Sequence, residues 1–423
     1  MKLIIKAVFA CIVCNILCRN LVFAQEQKKL EIDYKESYIP LWMSVRQHLS
    51  DDEWRHIANR YSLVVVSFES KGNKVNKENE RIKWIKSLNP NVRLLVFLSA
   101  LSLANTGLDP KGEPTDHLDW FLKNEVGEWQ RTSIFGNRVF NPGNTEVQNF
   151  LGQKAKDYID KYGYDGLWLD LVDITPRWIN YVSLNHKYKV VNPKTGKAYT
   201  DDEWKQGNME LLRVVRSYIG DKCFIINDSD GKNYFAGYND FLIYTDGMMN
   251  ESLTGQFSKS LTAFKNEDEW KADIDAMVDC VKRKKIVLTV GSVKKPSVGE
   301  SMEEYNNLYR YIMASFLLGK GKDCYLWIYA EVPKSIETWT WIRNVEEFLP
   351  NYWDMPSLGE AKGEYYKAEG VYQRDFEKGK VLVNPARQQV KIVLEGEWHT
   401  EKGEQVQLPL AIDSHSGEIL LRQ

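Results

Sequence analysis

The chain has almost no net charge, and this excludes two classes of partner. Its 56 Lys and Arg residues are balanced by 58 Asp and Glu residues, which leaves a formal net charge of −2 at pH 7. Proteins that hold nucleic acid or an anionic membrane surface by electrostatic attraction carry a clear basic excess. We therefore expect neither of these partners, while the composition leaves the oligomeric state unknown.

Long apolar runs are also missing. One apolar stretch extends from Ala7 to Leu17, and neither it nor any later stretch reaches the ~20 residues that span a bilayer as a helix. It follows Lys2 and Lys6 and precedes the small residue Ala24, as in a secretory signal peptide. We expect residues 1–24 to be removed and the mature protein to be secreted or periplasmic, without stable membrane insertion.

Cysteine is scarce beyond that segment. Three of the six cysteines lie within it, and three follow at wide spacing: Cys223, Cys280 and Cys324. An odd number at wide spacing does not form a disulfide framework, so we expect buried free thiols. A lipid anchor at Cys18 is the alternative to full release, but the preceding Ile16 and Leu17 lack the small residue that such processing prefers.

Several catalytic motifs are absent as well. The six histidines form no His-Glu-x-x-His helix, and the chain has neither a Gly-x-Ser-x-Gly elbow nor a phosphate-binding Gly-x-x-x-x-Gly-Lys loop. The segment from Asp228 resembles a calcium loop, but its sixth position is Asn233 instead of Gly and its twelfth is Asn239 instead of Glu. We expect no metal and no cofactor.

The chain does contain a regular alternation of short apolar strands and amphipathic helices, which is typical of a parallel sheet covered by helices. The strands are predicted at Tyr38 to Met43, Leu63 to Phe68, Val92 to Leu98, Gly166 to Leu169, Phe224 to Asn227, Asp246 to Asn250, Ile286 to Val290 and Tyr325 to Tyr329. The helices are predicted at Asp51 to Arg60, Lys77 to Leu88, Asn144 to Tyr162, Asp201 to Tyr218, Glu267 to Arg283 and Met302 to Leu318. Eight such units favour a (β/α)8 TIM barrel over an open sheet.

One crossover is weak. Between Gly231 and Thr245 the pattern shows no long helix, and Phe241 to Tyr244 could instead belong to the sixth strand.

A second, smaller domain is expected because a length of 423 exceeds the roughly 250 to 300 residues at which one core stops growing. We predict a catalytic barrel over 25–348, which ends with a helix at 335–348, and a linker over 349–364. Short alternating runs then predict a C-terminal antiparallel β-sandwich over 365–423, docked on the barrel.

Catalytic groups of such barrels lie at the C-terminal ends of the strands. The fourth predicted strand ends on Asp170, with Asp173 one turn away, and the sixth is followed by Glu251. A lone carboxylate at a strand end is usually structural. Two carboxylates that face each other across the mouth would supply the acid and the nucleophile or base of glycoside hydrolysis.

Other polar or aromatic residues near predicted strand ends could bind a sugar, although each alone is more often structural. They are Trp42, Glu69, Asp228 and Tyr329. The long insert over 102–142 contains Trp120 and Trp129, and we expect it to wall the cleft. Aromatic residues are abundant, with 14 Trp and 22 Tyr, and provide stacking faces as well as core filling.

Three segments together resemble the glycosyl-hydrolase-like (β/α)8-barrel families. They are Asp165-Gly-Leu-Trp-Leu-Asp170, Asp246-Gly-Met-Met-Asn-Glu-Ser252 and the tail from Val371-Tyr-Gln-Arg-Asp-Phe376 to Val383-Asn-Pro385. These families are similar to the endo-α-1,4-polygalactosaminidases and, more distantly, to the clan of α-galactosidases and dextranases. The resemblance covers nearly the whole mature chain. It implies that Asp170 is the nucleophile, that Glu251 is the acid/base and that the anomeric configuration is retained.

The leading hypothesis is a secreted glycoside hydrolase that cleaves a polysaccharide or oligosaccharide. The main alternative is a non-catalytic glycan-binding protein on the same barrel. A lyase or isomerase is a third possibility, but its phosphate site would rest only on Gly291-Ser-Val before Lys294.

Overall fold

The computed structural model describes residues 38–45, 49–67, 78–103, 116–132, 136–177, 179, 188–228, 230–255, 263–294, 302–331 and 355–422. At 78, 79, 228, 294, 302, 304 and 329–331 it describes the backbone alone. The predicted signal peptide and the predicted helix over 335–348 lie outside these ranges.

Eight parallel strands form the main sheet, in the order of the chain. They are β1 (Trp42–Val45), β2 (Leu63–Val66), β3 (Arg93–Ser99), β4 (Gly166–Asp170), β5 (Cys223–Asp228), β6 (Gly247–Asn250), β7 (Ile286–Lys294) and β8 (Cys324–Glu331). The sheet closes where Leu41 bridges Leu326 and the amide of Leu326 donates to the carbonyl of Pro40 at 2.9 Å. The predicted TIM barrel and its eight strands are confirmed.

Seven helices connect these strands within the described ranges. They are α1 (Asp51–Arg60), α2 (Glu78–Leu88), α3 (Thr145–Tyr162), α4 (Asp201–Ile219), α5 (Gly231–Phe235), α6 (Glu267–Lys282) and α7 (Met302–Gly319). Three of them begin with a reciprocal capping box, in which Ser50, Thr200 or Asn266 pairs with a glutamate three residues later. No described helix is long and apolar enough to cross a membrane.

The fifth crossover consists of the short α5 and the 3₁₀ helix Tyr238–Ile243. The alternative assignment of Phe241 to Tyr244 to the sixth strand is therefore wrong, since these residues turn back before β6 begins at Gly247. The side chain of Asp230 caps α5 by accepting from the amide of Asn233 at 2.7 Å. Gly231 allows α5 to cross α6 closely, because a Cβ there would lie 2.1 Å from the backbone of Ala272.

The strand pairing shows which side chains point into the barrel. Trp168 pairs with Ile225, and Ile225 pairs with Gly247, so all three lie on one face of the sheet. Gly291 lies on the opposite face, and a Cβ there would be 2.4 Å from the side chain of Ile312 on α7. The face that carries Trp168 is therefore the inner one.

The pairing also gives the stagger of the barrel. When each residue is matched to its paired residue on the next strand, a series that starts at Leu41 ends at Leu318 on the eighth strand. Leu41 itself bridges Leu326, which is eight residues further along the chain. A shear of eight over eight strands is the TIM-barrel value. Because of this shear, the residue that lies at the same height on the next strand is the one that follows the paired residue.

The C-terminal region is an antiparallel β domain, as predicted. Its strands are β9 (Tyr366–Ala368), β10 (Val371–Asp375), β11 (Gly379–Asn384), β12 (Val390–Ile392), β13 (His399–Thr400), β14 (Leu410–Ile412) and β15 (Ser416–Leu421). Five of them form one sheet in the order β9-β10-β11-β15-β13, and β12 pairs with β14. Val371, Leu382 and Trp398 belong to a separate core between these two sheets.

This β domain docks on α6 and α7. Gly417 allows close approach, since a Cβ there would lie 2.5 Å from that of Ala314 on α7. The Nη1 atom of Arg374 donates to the carbonyls of Leu317, Leu318 and Lys320 at 3.0, 2.9 and 2.8 Å. A guanidinium at the end of α7 thus satisfies carbonyls that have no partner within the helix and complements the negative end of its dipole.

Replacing Arg374 by Ala should lower the free energy of unfolding by about 2–4 kcal/mol, because three charge-assisted hydrogen bonds are lost at a half-buried contact. Urea denaturation followed by tryptophan fluorescence measures this change. The matched control is Arg387→Ala, which removes an exposed arginine of the same domain and should shift stability by no more than ~0.5 kcal/mol. Equal midpoints for both variants would contradict this role of Arg374.

Candidate active site

The end of β4 holds Asp170 in a constrained loop. The Oδ1 atom of Asp170 accepts a hydrogen bond from the amide of the next residue, Leu171, at 2.9 Å. Leu171 has a φ of 61°, a left-handed conformation that is uncommon for a residue with a branched side chain. Such strain costs of order 1–3 kcal/mol and clusters at functional sites.

Asn227 at the end of β5 secures the same loop. Its Oδ1 atom accepts from the amide of Val172 at 2.8 Å, and its carbonyl accepts from the hydroxyl of Tyr238 at 2.8 Å. Asn227 and Tyr238 are both buried. The sequence prediction missed Asn227, although an amide after the apolar Phe224-Ile-Ile is a signal that could have identified it.

Glu251 directly follows β6 and is also held by a tight turn. The side chain of the buried Asn250 accepts from the amide of Ser252 at 3.0 Å, and the hydroxyl of Ser252 donates to the carbonyl of Gly255 at 2.7 Å. The amide of the buried Leu253 donates to the carbonyl of Val290 on β7 at 3.2 Å. Both sides of Glu251 are thereby tied to the barrel.

The register brings Asp170 and Glu251 together on the inner face. Asp170 lies two residues after Trp168, and Glu251 lies four residues after Gly247, so both have the inward parity. On β5, Gly166 pairs with Cys223 and Gly247 pairs with Ile225, two residues further along the chain. Two residues is the displacement that the shear produces over the two steps from β4 to β6, so Gly166 and Gly247 lie at the same height. Asp170 and Glu251 each follow one of these glycines by four residues and therefore occupy one layer.

The expectation that the two carboxylates face each other across the mouth is wrong. β4 and β6 are separated by β5 alone, so Asp170 and Glu251 lie on neighbouring parts of the same wall. Two strand spacings of about 4.8 Å, on a curved sheet, put the two backbones roughly 9 Å apart. Asp170 has the inward parity of β4, and Glu251 has it when the parity of β6 is extended by one residue. Side chains that converge on the barrel axis in this way bring their carboxylates closer together than their backbones.

Asp173 lies in the loop beyond Asp170 and is half-buried. Its Oδ1 atom accepts from the amide of Ile174 at 2.6 Å. Burial raises the pKa of Asp173 to about 6, and the neighbouring carboxylates of Asp230 and Asp201 add to this effect. These contacts give Asp173 a role in shaping the loop, while its predicted contact with substrate stays a prediction.

The prediction that Trp42 binds a sugar is wrong. The structure places it in the core of the barrel, where only 1% of its surface is exposed and its indole N–H donates to the carbonyl of Thr289 at 2.9 Å. Its ring meets the edge of Trp327 at a centroid distance of 5.4 Å. No ring face of Trp42 is open to a sugar, because its parity points it inward at a low level of the closed barrel.

Three other predicted site residues fall outside the described side chains. Glu69 lies outside the described ranges, and Asp228 and Tyr329 are described by their backbones alone, on β5 and β8. Their predicted roles in substrate binding stay predictions.

The insert after β3 is held together by pairing between its own segments, and its predicted position beside the cleft stays a prediction. Its segments pair at Phe121 with Phe140 and at Lys123 with Trp129. The ring of Trp129 lies under Lys123 and Arg138, at 4.7 and 5.0 Å from its centroid, and Trp120 is buried. These aromatic residues stabilise the insert itself.

The described part of the chain contains no group of three His, Cys, Asp or Glu side chains that could hold a metal ion. The geometry places two carboxylates, those of Asp170 and Glu251, on one layer of the inner face. The three described cysteines are free thiols: Cys280 and Cys324 are buried and Cys223 is half-buried.

Comparison with known proteins agrees with this architecture. The model of a family described as hypothetical glycosyl hydrolase family 15 matches residues 86–380. No curated protein sequence matches the chain significantly.

Solved structures with a similar fold include three enzymes. An α-amylase from Anoxybacillus is 13% identical over 92% of this chain and 99% of its own, with a TM-score of 0.51. A noncanonic maltogenic α-amylase from Thermotoga neapolitana is 12% identical over 91% and 99%, with a TM-score of 0.51. A pullulanase from an Anoxybacillus species, in complex with maltotriose, is 10% identical over 94% and 72%, with a TM-score of 0.52. At these identities the likeness shows the barrel fold alone.

Proposed function

Because this chain belongs to hypothetical glycosyl hydrolase family 15 and is thus a glycoside hydrolase, we propose that it cleaves a polysaccharide or oligosaccharide with retention of configuration. We further propose that Asp170 is the nucleophile, that Glu251 is the acid/base and that the enzyme acts outside the cytoplasm after loss of residues 1–24. The observation that carries the catalytic assignment is the shared inner layer of these two carboxylates.

The proposed reaction has two steps, formation of a covalent glycosyl-enzyme and its hydrolysis. The carboxylate of Asp170 attacks the anomeric carbon, the glycosidic C–O bond breaks, and the protonated Glu251 transfers its proton to the leaving oxygen. Water then attacks the same carbon and gives a proton to Glu251, while Asp170 departs as a carboxylate. Each group ends in the state in which it began.

The spacing supports retention over inversion. Retaining enzymes have carboxyl groups about 5–5.5 Å apart, whereas inverting enzymes need about 6.5–9.5 Å to admit a water molecule. Backbones roughly 9 Å apart on one wall, with side chains converging on the axis, favour the shorter separation.

The first test identifies the sugar. Purified protein is screened against bacterial, plant and host polysaccharides, with maltotriose included because the pullulanase neighbour binds it. Proton NMR of the first product formed from the hydrolysed substrate shows its anomeric configuration. An inverted first product would contradict the retaining mechanism, and binding without release from any polysaccharide would favour a glycan-binding role.

The second test identifies the nucleophile. The 2-deoxy-2-fluoroglycosyl fluorides of glucose, galactose and mannose, in both anomers, should include a reagent that accumulates a covalent glycosyl-enzyme. Peptide mapping by mass spectrometry should then locate the sugar on Asp170. A label on another carboxylate would contradict the assignment.

A further inference from the structure

Two of the buried polar atoms on the inner wall that have no hydrogen-bond partner in the structure lie just below the height of the two carboxylates. They are the indole nitrogen of Trp168 and the hydroxyl oxygen of Ser44. The side chains are almost closed to solvent, since the residues are 3% and 6% exposed. A buried polar atom without a partner costs about 1–3 kcal/mol, and such an atom in a native protein calls for an explanation.

Both atoms belong to residues below the layer of the two carboxylates, with Trp168 on the same strand as Asp170 and Ser44 across the barrel on β1. Trp168 precedes Asp170 by two residues on β4 and has the same inward parity. Ser44 lies two residues after the inward-pointing Trp42 on β1, at a height one residue below Asp170 and Glu251. Ser44 and Trp168 therefore line the floor beneath the layer where the proposed chemistry takes place.

The fold holds these groups without using their polar atoms. The ring of Trp168 stacks on Phe97 of β3 at a centroid distance of 5.3 Å and an interplanar angle of 29°. By contrast, the equally buried indole of Trp42 donates to a backbone carbonyl. The side chain of Trp168 is fixed by this stacking and has the inward parity, so its N–H is held in place for an oxygen that enters from the mouth.

We propose that Trp168 and Ser44 bind hydroxyl oxygens of the sugar unit whose anomeric carbon meets Asp170, and that they are specificity-determining residues of this enzyme. The proposal rests on the proposed function. Hydroxyl groups are the matching chemistry, because the indole N–H can only donate whereas the serine hydroxyl both donates and accepts. A sugar that lacks the hydroxyl would leave these groups unpaired and would be rejected.

The first measurement is the rate at which the fluoroglycosyl fluoride forms the covalent glycosyl-enzyme. With the fluoroglycosyl fluoride that labels the wild-type protein, Trp168→Phe and Ser44→Ala should each be labelled about 5–10-fold more slowly, as expected for the loss of one hydrogen bond. The matched control is Trp204→Phe, since Trp204 is 2% exposed and also has an unpartnered indole nitrogen, but lies on the outer helix α4. Its labelling rate should be unchanged.

NMR of the trapped enzyme gives a readout that a structural role would not move. The indole N–H signal of Trp168, assigned by its absence in Trp168→Phe, should shift on trapping and exchange more slowly with deuterium, whereas that of Trp204 should not. Labelling of Asp170 without a change at Trp168, or wild-type rates in both variants, would overturn this inference and leave the proposed function intact. Failure of the fluoroglycosyl fluoride of the sugar identified in the screen to label the protein would contradict the retaining mechanism and this inference with it.

Discussion

Replacing Asp170 by Asn should lower kcat/KM by about 10⁴-fold or more, because an amide cannot form the glycosyl-enzyme bond. The fold should be spared, since the amide oxygen of Asn can still accept from Leu171 and the bond from Val172 to Asn227 does not involve Asp170. Activity is measured on the polysaccharide found in the screen, and thermal unfolding checks that the variant is native.

The control for this experiment is Asp221→Asn, which makes the same chemical change at an exposed turn before β5. It should retain wild-type activity. Undiminished turnover in Asp170→Asn would remove Asp170 from the mechanism. An equal loss in both variants would show that the assay does not report on the site.

Replacing Glu251 by Ala should reduce kcat/KM by about 10²–10⁴-fold on natural substrates, the usual contribution of a general acid/base. The loss should be much smaller for 2,4-dinitrophenyl glycosides, because a good leaving group needs no proton. Azide should restore turnover by replacing the activated water, and it should yield a glycosyl azide of retained configuration. This combination separates an acid/base role from a positioning role.

The exposed Glu80→Ala on α2 is the matched control and should behave like the wild-type protein. A glycosyl azide of inverted configuration would instead identify Glu251 as the nucleophile and reverse the two roles. The same loss for activated and natural substrates, without azide rescue, would contradict both.

The barrel could be predicted from sequence because its signals are local. Continuous apolar runs such as Leu63–Val66 are typical of strands buried on both faces, and the capping box of Ser50 with Glu53 places the start of α1. The fifth crossover could not be predicted, because a five-residue helix and a short 3₁₀ turn contain too few residues for a helical period to appear.

The site was predictable in its residues but not in its geometry. Asp170 and Glu251 follow apolar strands and can be identified from the chain alone, whereas their common layer depends on the stagger between strands. The same limitation explains Trp42, whose height and inward parity become visible only when β1 is paired with its neighbours. Asn227 acts through a backbone amide of another loop, and no spacing in the sequence reports such a contact.

The contact of Arg374 with α7 has a consequence for the order of biosynthesis. α7 ends at Gly319, so Arg374 is translated about 55 residues later, a delay of several seconds at roughly 5–20 residues per second. Until Arg374 and Gly417 have been made, the carbonyls at the end of α7 and the surface around Ala314 lack the partners that the β domain supplies. The surface of α7 that the β domain covers therefore reaches its native surroundings only after the strand that contains Gly417 has been made.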